Sequence, residues 1–556
     1  MSILRIDMSN CKSAKVDLPV EKIIGGRAMI DYLLTEYGNP RNHPLSKEAM
    51  LIVATGLLSG SSAPQSGRLS IGGKSPLTGG IKEANAGGTA GHKLARLGIK
   101  ALMIEGKSEK PLIMRLNTEG ISFEDAGDIL GVGNYEACKR LRSRYGNHIG
   151  IIIAGVAGEM RLANSTIAVT DPEGRPARQA ARGGLGAVMA SKGLKAIVVD
   201  DSGTSVRKPA DPARFSAGVK GAIEAIKAHP FTKPFHQYGT NFALNGDNDR
   251  GSLPTCNHRF GSFDKYENIN AQALFETIKS REGKLGHGCM PGCVVRCSSI
   301  YNDPEGKFLT ASFDYETIAM LGSNLGIADL DAIAWMDRQC DELGVDTIEL
   351  GCTIGLLGET ELFEFGDIKG AHSLIEEIAK GSPLGRVIGS GVAITGKVFG
   401  IDRVPAIKGQ GIPGHSARSC KGWGVTYATS PQGADHTAGP VLGEFLSSEG
   451  QVQRSRMSQI AMLGLDSTGL CMFSRLMQNP EIVVEMINGC CGLDWGVEDY
   501  LQMAKKALRQ ERAFNQNAGI SSSEDRVPEW MRKEPLPPTN ATFDVPEEEM
   551  DQIFNF

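Results

Sequence analysis

Short apolar runs closed by glycine fill roughly the first 200 positions: MLIVATGL, GRLSIGG, KALMIEG, HIGIIIAGVAG and KAIVVD. They are rich in Ile and Val and too short for buried helices, so they predict strands separated by tight turns and short helices. A polar stretch with two prolines, DSGTSVRKPADP (201–212), interrupts this pattern and marks the best boundary. From Ala213 onward the period changes. ARFSAGVKGAIEAIKA, ADLDAIAWMDRQCDELG and HSLIEEIAKG repeat apolar residues every three or four positions, which predicts amphipathic helices. A softer break lies at VPAIKGQGIPGH (404–415). The expected fold class is α+β with three domains: a β-rich domain over 1–203, then two mainly α-helical domains over 204–405 and 406–556. The tail, RKEPLPPTNATFDVPEEEMDQIFNF, is proline-rich and acidic and is expected to wrap the surface. No repeat at a solenoid period is visible.

Composition narrows the function classes. The net charge is −5, with both signs interspersed, which gives no basis for a nucleic-acid partner. No stretch of about 18 apolar residues and no charged leader before an apolar run is visible, so the expectation is a cytoplasmic chain with no membrane contact. Glycine is in excess: 69 of 556 residues is about 12%, against a usual share of about 7%. Much of it falls in loops such as GGRAM, GGIKEANAGG and ARGGLGA. Such loops either make tight turns or let main chain close around a ligand.

The twelve cysteines are too few for a disulfide scaffold and are unevenly placed. In GHGCMPGCVVRCSS, Cys289, Cys293 and Cys297 are spaced C-x3-C-x3-C. Three thiolates on one loop can hold three corners of a cubane iron–sulfur cluster, with the fourth ligand elsewhere. Zinc suits the run less well, because structural zinc sites use two paired clips and no second clip is present. Radical enzymes that cleave S-adenosylmethionine use C-x3-C-x2-C, one residue shorter. His287 precedes the run, where a lone histidine reads as a surface or supporting group. The remaining cysteines, at 11, 138, 256, 340, 352, 420, 490 and 491, read as packing residues or free thiols.

Two further segments share a form: Asp341-Glu-Leu-Gly344-Val345-Asp346 and Asp466-Ser-Thr-Gly469-Leu470-Cys471. With the cysteine run, and with SAPQSGRLSIGGKSPLTGGIKEANAGG, GVAGEMRLANSTIAVTD and ARGGLGAVMASKGLKAIVV in that order, the chain resembles the aldehyde ferredoxin oxidoreductase family of tungsten enzymes. The resemblance runs from the N-terminus to the VPEW region near 530. It implies a tungsten or molybdenum bis-pterin cofactor above the β-rich domain and one [4Fe-4S] cluster, with room for Mg2+ between the pterin phosphates. By the same resemblance Cys471 is the fourth cluster ligand. The first gap of the cysteine run is one residue longer than the family's commoner C-x2-C, which bears on Cys289.

Burying two polar heterocycles demands acceptors for their N–H groups and donors for their phosphates. Asp341 and Asp466, with Asp346 in support, are the acceptors expected; Gly344, Val345, Gly469 and Leu470 offer main chain. Arg68 and Arg182 suit phosphate or pterin edges, and Asn85, Gly87, Gly88, Gly183 and Gly184 complete the expected cradle. The family places a glutamate and a histidine near the metal, and their best matches are Glu316 and His436, with Asp314 a competing carboxylate. The implied reaction is oxidation of an aldehyde to a carboxylic acid, with electrons passed to ferredoxin or a small ferredoxin-like subunit. An aromatic acyl-CoA reductase subunit of the same family and a pterin-free iron–sulfur carrier are the alternatives, and oligomeric state stays open.

Overall fold

The computed structural model describes residues 1–17 and 23–556. The runs read as strands form two six-stranded mixed sheets. The first contains β1 (Ser2–Asp7), β2 (Lys12–Val16), β3 (Leu51–Thr55), β4 (Leu69–Lys74), β5 (Ile81–Ala86) and β6 (Ile99–Glu105). Its order is β2-β1-β6-β3-β4-β5. The second contains β7 (Leu112–Asn117), β8 (Gly120–Asp125), β9 (Gly150–Ala154), β10 (Ile167–Val169), β11 (Arg178–Ala180) and β12 (Leu194–Val199), in the order β11-β10-β9-β12-β7-β8. Successive side chains of a strand point to opposite faces, and here both faces are covered. Leu51 and Val53 pack inward with Ile152, Ala154, Ile197 and Val199 of the facing sheet. Their neighbours Met50, Ile52 and Ala54 pack under the helix α1 (Gly26–Tyr37), while Ile151 and Ile153 pack on Ala137 and Leu141. Two-sided burial is why these strands read as continuous apolar runs.

Beyond residue 200 helices predominate, as the change of period predicts. Pro212–Ala228 starts on Asp211, whose side chain accepts from the N–H groups of Ala213 and Arg214. The helices that carry the site are α2 (Ala243–Asp249), α3 (Tyr315–Leu321), α4 (Leu330–Leu343), α5 (Thr347–Leu357), α6 (Lys421–Thr429), α7 (Gln451–Thr468), α8 (Pro480–Cys491) and α9 (Val497–Ala518). A small antiparallel sheet, β13 (Lys284–His287), β14 (Ser298–Asn302) and β15 (Phe308–Ala311), interrupts them, and the cysteine run is the loop from β13 to β14.

The tail departs from expectation. Leu536, Phe543, Val545, Met550 and Ile553 are all at most 3% exposed, and the last four of these pack with Trp423 and Tyr427 in one core. Apolar side chains spaced through a proline-rich segment insert one by one, which overall polarity does not reveal.

Two glycines fix how the β-rich part meets α7. A Cβ on Gly26, whose φ is +47°, would lie 2.1 Å from the Asp466 carbonyl oxygen, and one on Gly56 would lie 2.2 Å from the Gly469 nitrogen. The N–H groups of Leu57 and Leu58 donate to the carbonyls of Ser467 (3.1 Å) and Thr468 (3.0 Å). Only glycine admits that approach of main chain to main chain.

Candidate active site

The two Asp-x-x-Gly segments are the ends of α4 and α7. Gly344 (φ 72°) and Gly469 (φ 82°) are left-handed residues closing those helices. Asp341 and Asp466 therefore sit in last turns, where the helix dipole disfavours a negative charge. Burial pushes Asp341 up to about 7 and Asp466 well above the usual carboxylate range. Asp341 accepts from Gln179 Nε2 at 2.8 Å, and Asp466 accepts from Asn85 Nδ2 at 3.3 Å with Arg27 Nη1 at 3.5 Å. Asp346 caps α5 by accepting from the Ile348 N–H.

The thiols converge. Cys289 and Cys471 form one buried apolar cluster with Met290, against which Cys293 packs. Cys289 is 8% and Cys471 4% exposed. A hydrogen bond from Cys293 draws the Cys289 thiol down to about 6, opposed by burial and aided by Arg178 and Arg68; burial pushes Cys297 and Cys471 up. Among the described residues no three thiols have all their sulfurs within 4.8 Å of one another. A single tetrahedral zinc would need sulfurs about 4 Å apart, a spacing that no three of these thiols meet.

One cavity of about 700 Å³ joins these features. One wall is made where β5 and β11 meet, each the outermost strand of its sheet, with Ala84, Asn85 and Ala86 of the first and Arg178 and Gln179 of the second lining the space. Among the expected residues, Arg68, Asn85, Gly87, Arg182, Cys289, Cys297, Glu316, Asp341, Val345, Asp346, His436 and Cys471 line it. Gly88, Gly183, Gly184, Cys293, Gly344, Asp466, Gly469 and Leu470 stand behind this lining. Gly88 and Gly469 hold loops in place: the Gly88 N–H donates to the Cys289 carbonyl at 2.9 Å, and the Gly469 carbonyl accepts from the Arg68 N–H at 3.1 Å. A Cβ on Gly87 would sit 3.1 Å from Cys289 Sγ. Leu470 is fully buried core.

Arg68 binds Asn85 through Nε to the side chain and through Nη2 to the carbonyl at 2.8 Å. Arg182 is held by the protein itself: Nε reaches Asp346 at 3.1 Å, Nη2 reaches the Gly411 carbonyl at 2.7 Å and Glu349 at 3.4 Å, and Nη1 reaches the Ala434 carbonyl. It ties the β-rich part to α5 and the C-terminal helices and has little donor capacity left.

The two candidate carboxylates face different ways. Asp314 precedes α3, so the segment is a helix start and not a strand. Asp314 is raised by burial and lies among Arg178, Ser312 and the thiols of Cys289 and Cys297. Glu316 instead accepts the Gly414 N–H through Oε2 at 2.7 Å, and its Oε1 lies 3.9 Å from His436 Nε2 and 3.7 Å from His415 Nε2.

Sequence reasoning missed Arg178, Gln179, Asp247 and His415, all of which line the cavity. Arg178 binds Ser298 Oγ at 2.8 Å behind the cysteine loop. Its place in PARQAARGG, just before an expected cradle segment, was the available signal. His287 pairs with Glu173 at 2.9 Å, a supporting group as its setting predicts.

The residues present suit the group implied. Buried carboxyls pushed upward are acceptors short of donors, and the thiols of Cys289, Cys297 and Cys471 stand near the guanidinium groups of Arg178 and Arg68. No helix among the described residues is long and apolar enough to cross a membrane.

Comparison with known proteins agrees. Residues 3–201 match the family model for the aldehyde ferredoxin oxidoreductase N-terminal domain, and residues 218–555 match that for domains 2 and 3. A tungsten-containing aldehyde ferredoxin oxidoreductase of Pyrococcus furiosus is 32% identical over 93% of this chain and 88% of its own. The WOR-like subunit of an aliphatic sulfonate oxidoreductase from the same organism is 26% identical over 79% of this chain and 75% of its own. Among solved structures, the active-site complex of benzoyl-coenzyme A reductase with 1,5-dienoyl-CoA shares the fold, with a TM-score of 0.83 at 18% identity over 99% of this chain and 92% of that one.

Proposed function

Because this chain belongs to the aldehyde ferredoxin oxidoreductase family, oxidoreductases of the tungsten or molybdenum bis-pterin class, we propose that it oxidises an aldehyde to the carboxylic acid. The observation that carries the reading is that Glu316 and His436 line one cavity together with Cys289, Cys297, Cys471 and the Asp341 carboxyl. When bound, the pterin-held metal supplies the two-electron redox chemistry. Asp341 and Asp466 would hold pterin N–H groups, Arg68 and the edges of β5 and β11 would orient the heterocycles, and Cys289, Cys293, Cys297 and Cys471 would hold a [4Fe-4S] cluster.

The chain's own share of the reaction is proton handling and orientation. Converting RCHO and water to RCOOH releases two protons and two electrons. Glu316 Oε1 takes a proton from the attacking water, and His436 Nε2 donates a hydrogen bond to the carbonyl oxygen as negative charge develops there. Cys471 lies two residues beyond Gly469, the cap of α7, so the segment that would hold a pterin would also hold the cluster. Ferredoxin or a ferredoxin-like subunit is the proposed acceptor, and Mg2+ between pterin phosphates fits the same scheme. The test is aldehyde-dependent reduction of viologen by protein expressed anaerobically with tungstate. Wild type should turn over and Glu316→Gln should lose at least 100-fold in kcat, on the order of a general-base deletion. Reduction of an aromatic thioester with no aldehyde turnover would overturn the reading.

A further inference from the structure

Glu316 is one link in a row of closely placed acid–base groups. Its Oε2 is occupied by the Gly414 N–H, which leaves Oε1, buried and without a hydrogen-bond partner, facing His436 on one side and His415 on the other. The His415 ring is clamped between Tyr315 (centroids 4.9 Å apart, planes 22° apart) and Trp423 (4.6 Å, 23°), so it cannot swing away. Its Nδ1 lies 3.2 Å from Asp247 Oδ2. Asp247 is oriented in turn, because its Oδ1 accepts from Ser252 Oγ at 2.7 Å and Arg250 Nη2 at 2.6 Å. A carboxylate this close to Nδ1 favours the tautomer protonated there, whose Nε2 lone pair faces Glu316.

We propose that Asp247 and His415 form a proton outlet for Glu316, a positioning pair that returns it to the carboxylate form after each turnover. The inference rests on the proposed role of Glu316. The proton held on Glu316 Oε1 passes to His415 Nε2, which gives an imidazolium paired with the Asp247 carboxylate and a Glu316 carboxylate ready for the next water. The imidazolium then releases its proton to water in the cavity, which Arg250, its side chain 37% exposed, also lines. No electron moves in this exchange, and no co-reactant beyond water is needed. Electrostatics agree: burial opposes the charged ring, yet Asp247 and Glu316 raise His415 above its ordinary value, and against its own burial Asp247 is held down to about 2, chiefly by His415. The charged and titratable groups about the ring are Asp247 from α2, Arg250 just after it, and Tyr315 and Glu316 from α3.

The test uses tungsten-loaded holoenzyme and aldehyde-dependent viologen reduction across pH 5.5–9. His415→Asn, which keeps a donor toward Asp247, should lower kcat at least tenfold with KM within twofold, unchanged tungsten and iron content, and partial rescue by added imidazole. Asp247→Asn should move the His415 limb of the kcat profile about one unit toward acid, because the ring loses its counter-charge. His415→Asn with wild-type kcat and an unmoved profile overturns the outlet. So does loss of activity together with metal content and no rescue, since that is the signature of a structural ring. Wild-type enzyme inactive on every aldehyde overturns the parent reading instead, so the two failures are distinguishable.

Discussion

Asp341→Asn gives a prediction whose magnitude follows from the structure. Burial holds the Asp341 carboxyl up to about 7 in the folded chain, against an ordinary 3.8. Asp337, one turn earlier on α4, is raised by burial as well, then by Asp341 itself, so the pair resists holding two charges. The folded chain binds a proton here that the unfolded chain has lost between those two values. Stability from this group is therefore full below about pH 4 and is lost as pH rises through about 7. A shift of about 3 units is about 4 kcal/mol in total, of which about 3 kcal/mol is lost between pH 5 and pH 8.5. Asparagine keeps the oxygen that accepts from Gln179 Nε2 but does not titrate. Urea unfolding of cofactor-free wild type and variant at both pH values measures the effect. The variant's advantage should grow by about 3 kcal/mol from pH 5 to pH 8.5. An advantage constant within about 0.5 kcal/mol would refute the reasoning, since Asp341 would then be solvated or paired in a way the buried cavity wall does not provide. In loaded enzyme the sign reverses, because a carboxylate that accepts pterin N–H groups is worth more than an amide.

Other outcomes follow from the same geometry. Gly88→Ala forces φ +102° on an L side chain and places Cβ 2.6 Å from the Thr170 carbonyl, so it should cost at least 2 kcal/mol, on the order of a strained backbone position, and lower iron content in elemental analysis. Arg182→Ala leaves Asp346 and Glu349 buried without their cation and should lower stability by about 3–5 kcal/mol in chemical unfolding, at neutral pH more than at pH 5. Phe543→Ala removes a fully buried ring of the tail and should cost about 3–5 kcal/mol, whereas the change would be silent if the tail merely lay on the surface.

Much of the site was legible because its groups come in local words. Asp341 to Asp346 and Asp466 to Cys471 each spell a helix end, a left-handed glycine and a group beyond it, and the cysteine loop is a hairpin connection readable in one line. The β-rich start was equally plain, because strands buried on both faces give unbroken apolar runs. What stayed hidden has no local spelling. His415 and Asp247 acquire meaning only when α2 and the loop before α6 are folded onto one cavity, and Arg178 had only its nearness to ARGG to mark it. Arg182 reads as a phosphate ligand from its glycine-rich setting, yet three segments far apart in sequence take up its donors. The tail's burial depends on single apolar residues among prolines and acids, where no period exists to detect.

The proposed function requires that one segment, Asp466 to Cys471, join a pterin-bound metal to an iron–sulfur cluster. Elemental analysis of anaerobically purified wild type and Cys471→Ala tests it most directly. Wild type should carry one tungsten or molybdenum and about four irons per chain, and the variant should have sharply reduced iron and no aldehyde-dependent viologen reduction. Wild-type protein that carries zinc in place of iron, or holds neither tungsten nor molybdenum after metal-replete growth, would contradict it.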